Sequence, residues 1–161
     1  MVVIDNCNIF NPILDMIAGD QGTGYCAIGT CQRVGQEYAL SSAIFVDQVI
    51  YNKSSVQIDI SQRMLSALLS LCKEELLPFI IYTQPRSQNP GQNLEFCPQE
   101  LEFFRQFAAS AKLRGIPSCL FIATDGYALK YCLWNTQTDS YRVQNTLTSS
   151  MLIGSYFTRF F

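Results

Sequence analysis

The run Phe79-Ile80-Ile81-Tyr82 is the tightest constraint on how this chain folds. Consecutive apolar residues leave no polar face, as expected of a short strand covered on both sides at the centre of a sheet. The segment that follows, "YTQPRSQNPGQNLEFCPQE" from Tyr82 to Glu100, is a long polar loop broken by Pro85 and Pro90 that ends by entering a helix. Ends of buried strands are where folds mount chemistry. This loop nevertheless holds no His and no Asp.

Two long helices flank that strand. Asp59 is read as the cap of the first, with Gln62 three residues later. Ile60, Met64, Leu68 and Cys72 recur every fourth residue, with Leu65, Leu69 and Leu76 beside them, and Pro78 ends the pattern. The second begins with Cys97 at the N-cap, Pro98 at the first helical position and Glu100 at the third. Phe96 and Leu101 occupy the hydrophobic-staple positions. Its buried stripe is Leu101, Phe104, Phe107, Ala108 and Ala111, and Gly115 closes it. A short helix is expected over residues 11–18, with Asn11 as cap. Strands are expected over 25–34, 38–46, 119–123, 127–134 and 141–147, with further β pattern at 48–51 and 56–58. Asp125-Gly126 marks a hairpin turn. The glycines of "GDQGTG" (19–24) lead into a strand with no Gly-Lys-Ser/Thr, so they are read as a plain loop. The element order predicts a single α/β (α+β) domain over residues 1–161, a mixed β-sheet flanked by helices. Adjacent hairpins at both ends disfavour a doubly wound parallel sheet. Residues 148–161 form an apolar tail.

Histidine is absent, which removes the commonest general base, the commonest metal ligand and every Ser-His or Cys-His pair. A net charge of −2 gives no electrostatic footprint for nucleic acid or anionic membrane. The seven cysteines form no C-x-x-C. Cys26 and Cys31, five apart on one strand, face opposite sides, and Cys72 and Cys119 read as small core residues. With no signal peptide and no stretch long enough to span a bilayer, a cytoplasmic location is expected.

The order of elements around the quoted loop resembles the JAB/MPN (JAMM) domain. That family includes zinc-dependent deubiquitinases and many catalytically silent scaffold members. Its signature is an upstream Glu, then His-x-His-Pro at the end of a buried strand, a loop, and Ser-x-x-Asp at the next helix start. Here Tyr82-Thr83-Gln84-Pro85 stands where His-x-His-Pro would, and Cys97-Pro98-Gln99-Glu100 where Ser-x-x-Asp would. The helix "ELEFFRQFAASAKLRGIP" and the strand "SCLFIAT" follow in family order. The resemblance covers residues 11–143 and implies a layer arrangement like that of cytidine deaminases. In the family the two His and the Asp hold zinc, the upstream Glu is the general base and the Ser stabilises the oxyanion. The upstream Glu falls either near Gly24, where this chain has none, or on Glu37.

Tyr82 and Gln84 are poor zinc ligands, so the remaining carboxylate of Glu100 and the thiol of Cys97 give two ligands at best, too few for tight zinc. Each also has a structural role: Cys97 caps a helix and Glu100 reaches back to the cap amide. The expectation is therefore a metal-free, cofactor-free, catalytically inactive JAB/MPN-like domain. It would serve as a protein-interaction or scaffolding subunit, paired with another MPN domain or held in a larger complex. The alternative is a divergent metallo-isopeptidase using Glu37, Cys97 and Glu100. A third option is a small-ligand module contacting Tyr82, Gln84 and Arg86. Phe103, off the buried stripe, and the tail residues Tyr156, Phe157, Phe160 and Phe161 are the candidate partner contacts.

Overall fold

The computed structural model describes residues 2–5, 12, 24–35, 37–52, 55–58, 60–84, 96–124 and 128–147. It is an α+β fold. Among the described residues there are eight strands: β1 (Val2–Asp5), β2 (Gly24–Val34), β3 (Glu37–Asn52), β4 (Ser55–Ile58), β5 (Leu76–Thr83), β6 (Ser118–Thr124), β7 (Ala128–Asn135) and β8 (Ser140–Leu147). Two helices accompany them, α1 (Gln62–Leu71) and α2 (Pro98–Leu113). The strands join one mixed sheet in the order β1-β3-β2-β5-β6-β7-β8, with β4 paired to β3. Only β1/β3 and β5/β6 run parallel. The parallel β5–β6 pair is joined through α2, since a parallel neighbour needs a long crossover while hairpins make antiparallel ones. No helix among the described residues is long and apolar enough to cross a membrane.

The apolar run sits where its composition requires. β5 lies between β2 and β6, and Phe79 through Tyr82 are fully buried. The ladder to β6 begins at Phe79, just past Pro78, whose ring nitrogen has no proton to give. Both helices cover the sheet face that carries Ile28, Ile80 and Phe121. Phe104 of α2 stacks on Phe121 with centroids 4.0 Å apart and planes 14° from parallel. Leu65, Leu68 and Leu69 are the buried face of α1. A groove lined by Leu65, Leu69, Phe103 and Phe107 separates the helices. The sheet coils strongly about its other face: Tyr38 of β3 lines a common cleft with Tyr131 of β7, although β2, β5 and β6 lie between those strands.

β2 and β3 lie unusually close. A Cβ built on Gly29 would stand 1.8 Å from the Ser42 carbonyl oxygen, so only glycine fits there. The register slips beside it, pairing Thr30 with Ser42 but Cys31 with Leu40, which leaves Ser41 as an extra residue on β3. Thr30 Oγ1 shares hydrogen bonds with the hydroxyls of both Ser41 and Ser42 at this bulge. Alternation along β2 puts Cys26 and Cys31 on opposite faces, as their spacing predicts, and both are buried.

Several elements differ from their sequence pattern. Helix α1 is capped by Ser61, whose Oγ accepts from the Met64 N–H at 3.2 Å, and not by Asp59. Ile58 and Ile60 are both buried, so the chain is held in the core until Ser61. The helix ends at Leu71 rather than at Pro78. Leu76 and Leu77 belong to β5 and pair with Gln32 and Cys31, and this tertiary ladder overrides the helical spacing of Leu76. Glu74 and Glu75 are exposed in the bend between α1 and β5. The segment Val2–Asp5, not read as a strand, pairs with β3. Residues 48–51 are not a separate element, because β3 runs unbroken to Asn52. Pro12 is helical, and the rest of the expected 11–18 helix lies outside the described residues, as do Asp125, Gly126 and the tail 148–161.

Helix α2 is bounded as its sequence predicts. Arg114 is its C-cap and Gly115 follows at φ +75. The Gly115 N–H reaches the Lys112 carbonyl at 3.0 Å and the Ile116 N–H reaches the Ala111 carbonyl at 3.0 Å, the double closure of a Schellman turn.

Phe104→Ala is expected to lower the unfolding free energy by about 3–5 kcal/mol in urea denaturation, because it opens a cavity against Phe121. Leu113→Ala, at a residue 90% exposed, should stay within about 0.5 kcal/mol. Equal effects of the two substitutions would contradict this packing.

Candidate functional site

Tyr82 and Gln84 project from the C-terminal end of β5, and Cys97 and Glu100 stand at the first turn of α2. The structure brings these four together. Glu100 is 1% exposed, and its carboxylate is held on both oxygens. The Tyr82 hydroxyl donates a short hydrogen bond to Oε2. Gln84 Nε2 donates to the same oxygen at 2.7 Å. The Cys97 backbone N–H donates to Oε1 at 3.1 Å. This last bond is the Glu half of a capping box, with Pro98 as the first helical residue.

Each donor is aimed by its own element. The Gln84 N–H bonds the Thr124 carbonyl at 2.8 Å, extending the β5–β6 ladder one residue past Thr83. The Tyr25 N–H bonds Thr83 Oγ1 at 2.8 Å, tying the start of β2 to the same strand end. Tyr82 lies in the cross-strand row Cys26–Tyr82–Ala123–Lys130, on the face covered by α2, and its ring is tilted against Phe104 at 6.3 Å. Burial pushes the Tyr82 hydroxyl well above the ordinary tyrosine range, and the Glu100 carboxylate beside it pushes the same way. Tyr82 is therefore a neutral donor at any physiological pH.

The donor set does not fit a zinc centre. A zinc site aims lone pairs at a common point. Here a neutral phenol and a carboxamide N–H₂ aim protons at one carboxylate. Among the described residues no group of three or more His, Cys, Asp or Glu side chains stands together to hold a metal.

Glu37 does not join the cluster. It is exposed at the start of β3, opposite Val34, whereas Tyr82 pairs with Cys26 at the other end of β2. At about 3.3 Å per residue the two ends are roughly 26 Å apart. The other register for an upstream acid, Gly24, pairs with Val49 of β3 and has no side chain to offer. Phe103 is half-buried: its ring stacks on Phe107 at 6.4 Å and lines the groove between the helices. Arg86, Tyr156, Phe157, Phe160 and Phe161 lie outside the described residues.

One residue of this neighbourhood was not singled out from the sequence. Lys130 is buried in β7 with its Nζ 4.7 Å from the centroid of the Phe96 ring, just before the α2 cap. Its signal was a charge inside an apolar strand, in the parity of Cys132 and Trp134. Arg105 and Glu102, by contrast, pair on the solvent side, with Nε to Oε2 at 2.9 Å. The fold and the site together define an α+β protein whose strand-end cluster is closed by its own side chains. A scan against models of protein families finds no match to this chain, and a search among curated proteins finds no relative.

Tyr82→Phe should destabilise the fold by about 1.5–3 kcal/mol, because it takes one of three donors from a buried carboxylate. In a double-mutant cycle with Glu100→Gln, the coupling should exceed about 1 kcal/mol. Additive effects would mean that the two side chains do not interact.

Stability should also fall in alkali. Tyr82, raised by burial, keeps its proton in the fold after the unfolded chain has begun to lose it near pH 10. Burial likewise pushes Cys26 and Cys31 up to about 12 from 9.0. Above pH 9 the unfolded state binds fewer protons than the native state, so stability declines at about 1.4 kcal/mol per pH unit for each such group. Urea midpoints measured from pH 8 to 11 check this, and a flat profile would contradict it.

Proposed function

We propose that this chain is a JAB/MPN-like domain without metal or catalytic activity that serves as a protein-interaction or scaffolding unit in a larger assembly. The observation that carries the proposal is the Glu100 cluster. The side chains at the positions of the family's metal ligands, Tyr82, Gln84 and Glu100, meet at one point and are joined by hydrogen bonds, with the backbone N–H of Cys97 at the oxyanion position as a third donor. A cluster with this hydrogen-bond pattern rigidifies the junction of β5, β6 and α2.

The surface supports an interaction role. Ile44 and Leu71 are more than half exposed and line a shallow groove with Ile28, Met64, Ala67 and Leu68, between α1 and the β2–β3 pair. Large apolar side chains gathered at the surface are unfavourable in water and are commonly covered by a partner. Leu113 is a further exposed apolar residue, at the C-terminal end of α2. The partner implied by the resemblance is another MPN domain or a subunit of a multi-subunit complex.

Two measurements test the two halves of this reading. Elemental analysis of protein purified without chelator should find less than about 0.1 zinc per chain, because one carboxylate and one thiol cannot hold the ion tightly. Stoichiometric zinc that disappears in Glu100→Ala would overturn the metal-free reading. Size fractionation of extract from source cells should place the chain in a particle larger than itself, and Leu71→Lys should release it as a folded monomer. A wild-type chain that migrates as a monomer at its native concentration would overturn the scaffold reading.

A further inference from the structure

The end of the sheet opposite Glu100 carries a second constellation. β2 leaves the core through Arg33, turns at Gly35 with φ +64, and returns as β3 through Tyr38. Because the sheet coils, this turn meets the β7–β8 hairpin. Together they wall a cleft of about 450 Å³ lined by Arg33, Tyr38, Tyr131, Leu133, Arg142 and Gln144. That volume falls within the range of small-molecule sites. Register sets each wall: Arg33 pairs with Tyr38, Leu133 with Arg142, and Tyr131 with Gln144.

The floor is aromatic and the rim is cationic. Tyr38 and Tyr131 are buried, whereas Arg33 and Arg142 are exposed. Arg33 Nε donates to the Gly35 carbonyl at 3.3 Å, and its guanidinium carbon lies 6.0 Å from the Tyr38 ring centroid. The turn carbonyl and the ring thus hold one face of the guanidinium over the cleft. Arg142 is close enough to Tyr131 to draw that hydroxyl's proton affinity down against the effect of burial. Among the described residues no Asp or Glu lines the cleft. Among the described residues the only ion pair is Arg105 with Glu102, so neither Arg33 nor Arg142 is neutralised by a described acid. The two acids nearest in sequence are accounted for elsewhere. Asp139 accepts the Trp134 indole N–H at 3.1 Å, and Glu37, next to Tyr38, alternates to the other side of its strand.

Glu75 is next to Arg33 through its backbone, its carbonyl accepting the Arg33 N–H at 3.1 Å, but it is not among the lining residues. A chain of net charge −2 that collects two arginines at one concave site, with no acid among its described lining residues, builds a local positive potential there. Guanidinium forks match the oxygen pairs of carboxylate and phosphate. We infer that this cleft binds a small organic oxyanion, its carboxylate or phosphate held between Arg33 and Arg142 and its apolar part resting on Tyr38, Tyr131 and Leu133. The site is independent of the Glu100 cluster, about 23 Å away along β2 at roughly 3.3 Å per residue.

Titration calorimetry with phenyl phosphate, and separately with inorganic phosphate, tests this on the full chain. Phenyl phosphate should bind with Kd below about 1 mM. Affinity should fall as ionic strength rises, because the rim is exposed. Arg33→Gln and Arg142→Gln should each weaken binding at least tenfold. Tighter binding of phenyl phosphate than of inorganic phosphate places part of the recognition on the tyrosines, and equal binding assigns the site to the oxyanion alone. In the wild-type chain, amide shifts on titration should centre on Arg33, Tyr38 and Arg142, a readout that needs no variant to fold. Absence of binding by either probe to 10-fold above that concentration, shifts centred elsewhere, or undiminished binding in a folded Arg33→Gln/Arg142→Gln double variant would overturn the assignment.

Discussion

A buried carboxylate imposes the strictest condition in this molecule. An ionised group out of water is tolerated only when its oxygens are paired, since the loss of hydration costs several kcal/mol. Glu100 meets that condition with three donors drawn from two directions: Tyr82 and Gln84 from the strand, and the Cys97 amide from its own helix. Satisfying all three at once fixes where β5 ends, where α2 begins and how α2 is rotated about its axis. Phe104 stands one turn beyond Glu100, and the rotation that seats the carboxylate also lays the Phe104 ring flat on Phe121. Loss of one donor would leave charge uncompensated in a place that water reaches poorly, so the polar cluster and the aromatic core beneath it form one cooperative unit.

The two ends of the sheet are chemically opposite. At the C-terminal ends of β5 and β6, polar side chains converge and close on one another. At the other end, Arg33 and Arg142 stand at a cleft with no acid among its described lining residues. The glycine at position 29 helps to create the difference, because the close approach of β2 to β3 and the bulge beside it are backbone features that increase local twist. Stronger twist carries Tyr38 round toward Tyr131, and a flat sheet with the same strand order would hold them three strands apart.

Much of this was legible in the sequence wherever one local rule and one tertiary demand agreed. Cys97, Pro98 and Glu100 announce a helix start, and Gly115 a helix end, because capping is satisfied within a few residues. Phe79 to Tyr82 announces a central strand because no face of it is polar. Where the two levels disagreed, tertiary pairing won. Leu76 continues the spacing of α1 yet joins β5, since the ladder to β2 offers its backbone more than another turn of helix. Glu37 was a plausible partner for Glu100 only while the length and direction of β2 were unknown. The Tyr82–Glu100 bond spans 18 residues, and no periodicity reports a contact made across a loop. Lys130 and the Arg33–Arg142 cleft were hidden for the same reason: each depends on which strands the sheet brings side by side, a property of strand order and coil.

The character of the strand-end cluster follows from the direction in which its hydrogen bonds run. A metal cradle surrounds its centre with lone pairs, and the ion supplies the positive charge that holds them together. In this chain the centre is itself an acceptor and the surrounding groups are donors, so the arrangement is complete without an ion. Reaching a metal-binding state from here would require Tyr82 to give up a proton that burial and the adjacent carboxylate both hold in place, and Gln84 to turn its N–H₂ away from Glu100. Both changes act against the interaction that seats α2 on the sheet. The same polar groups cannot serve at once as an ion's ligands and as the carboxylate's donors.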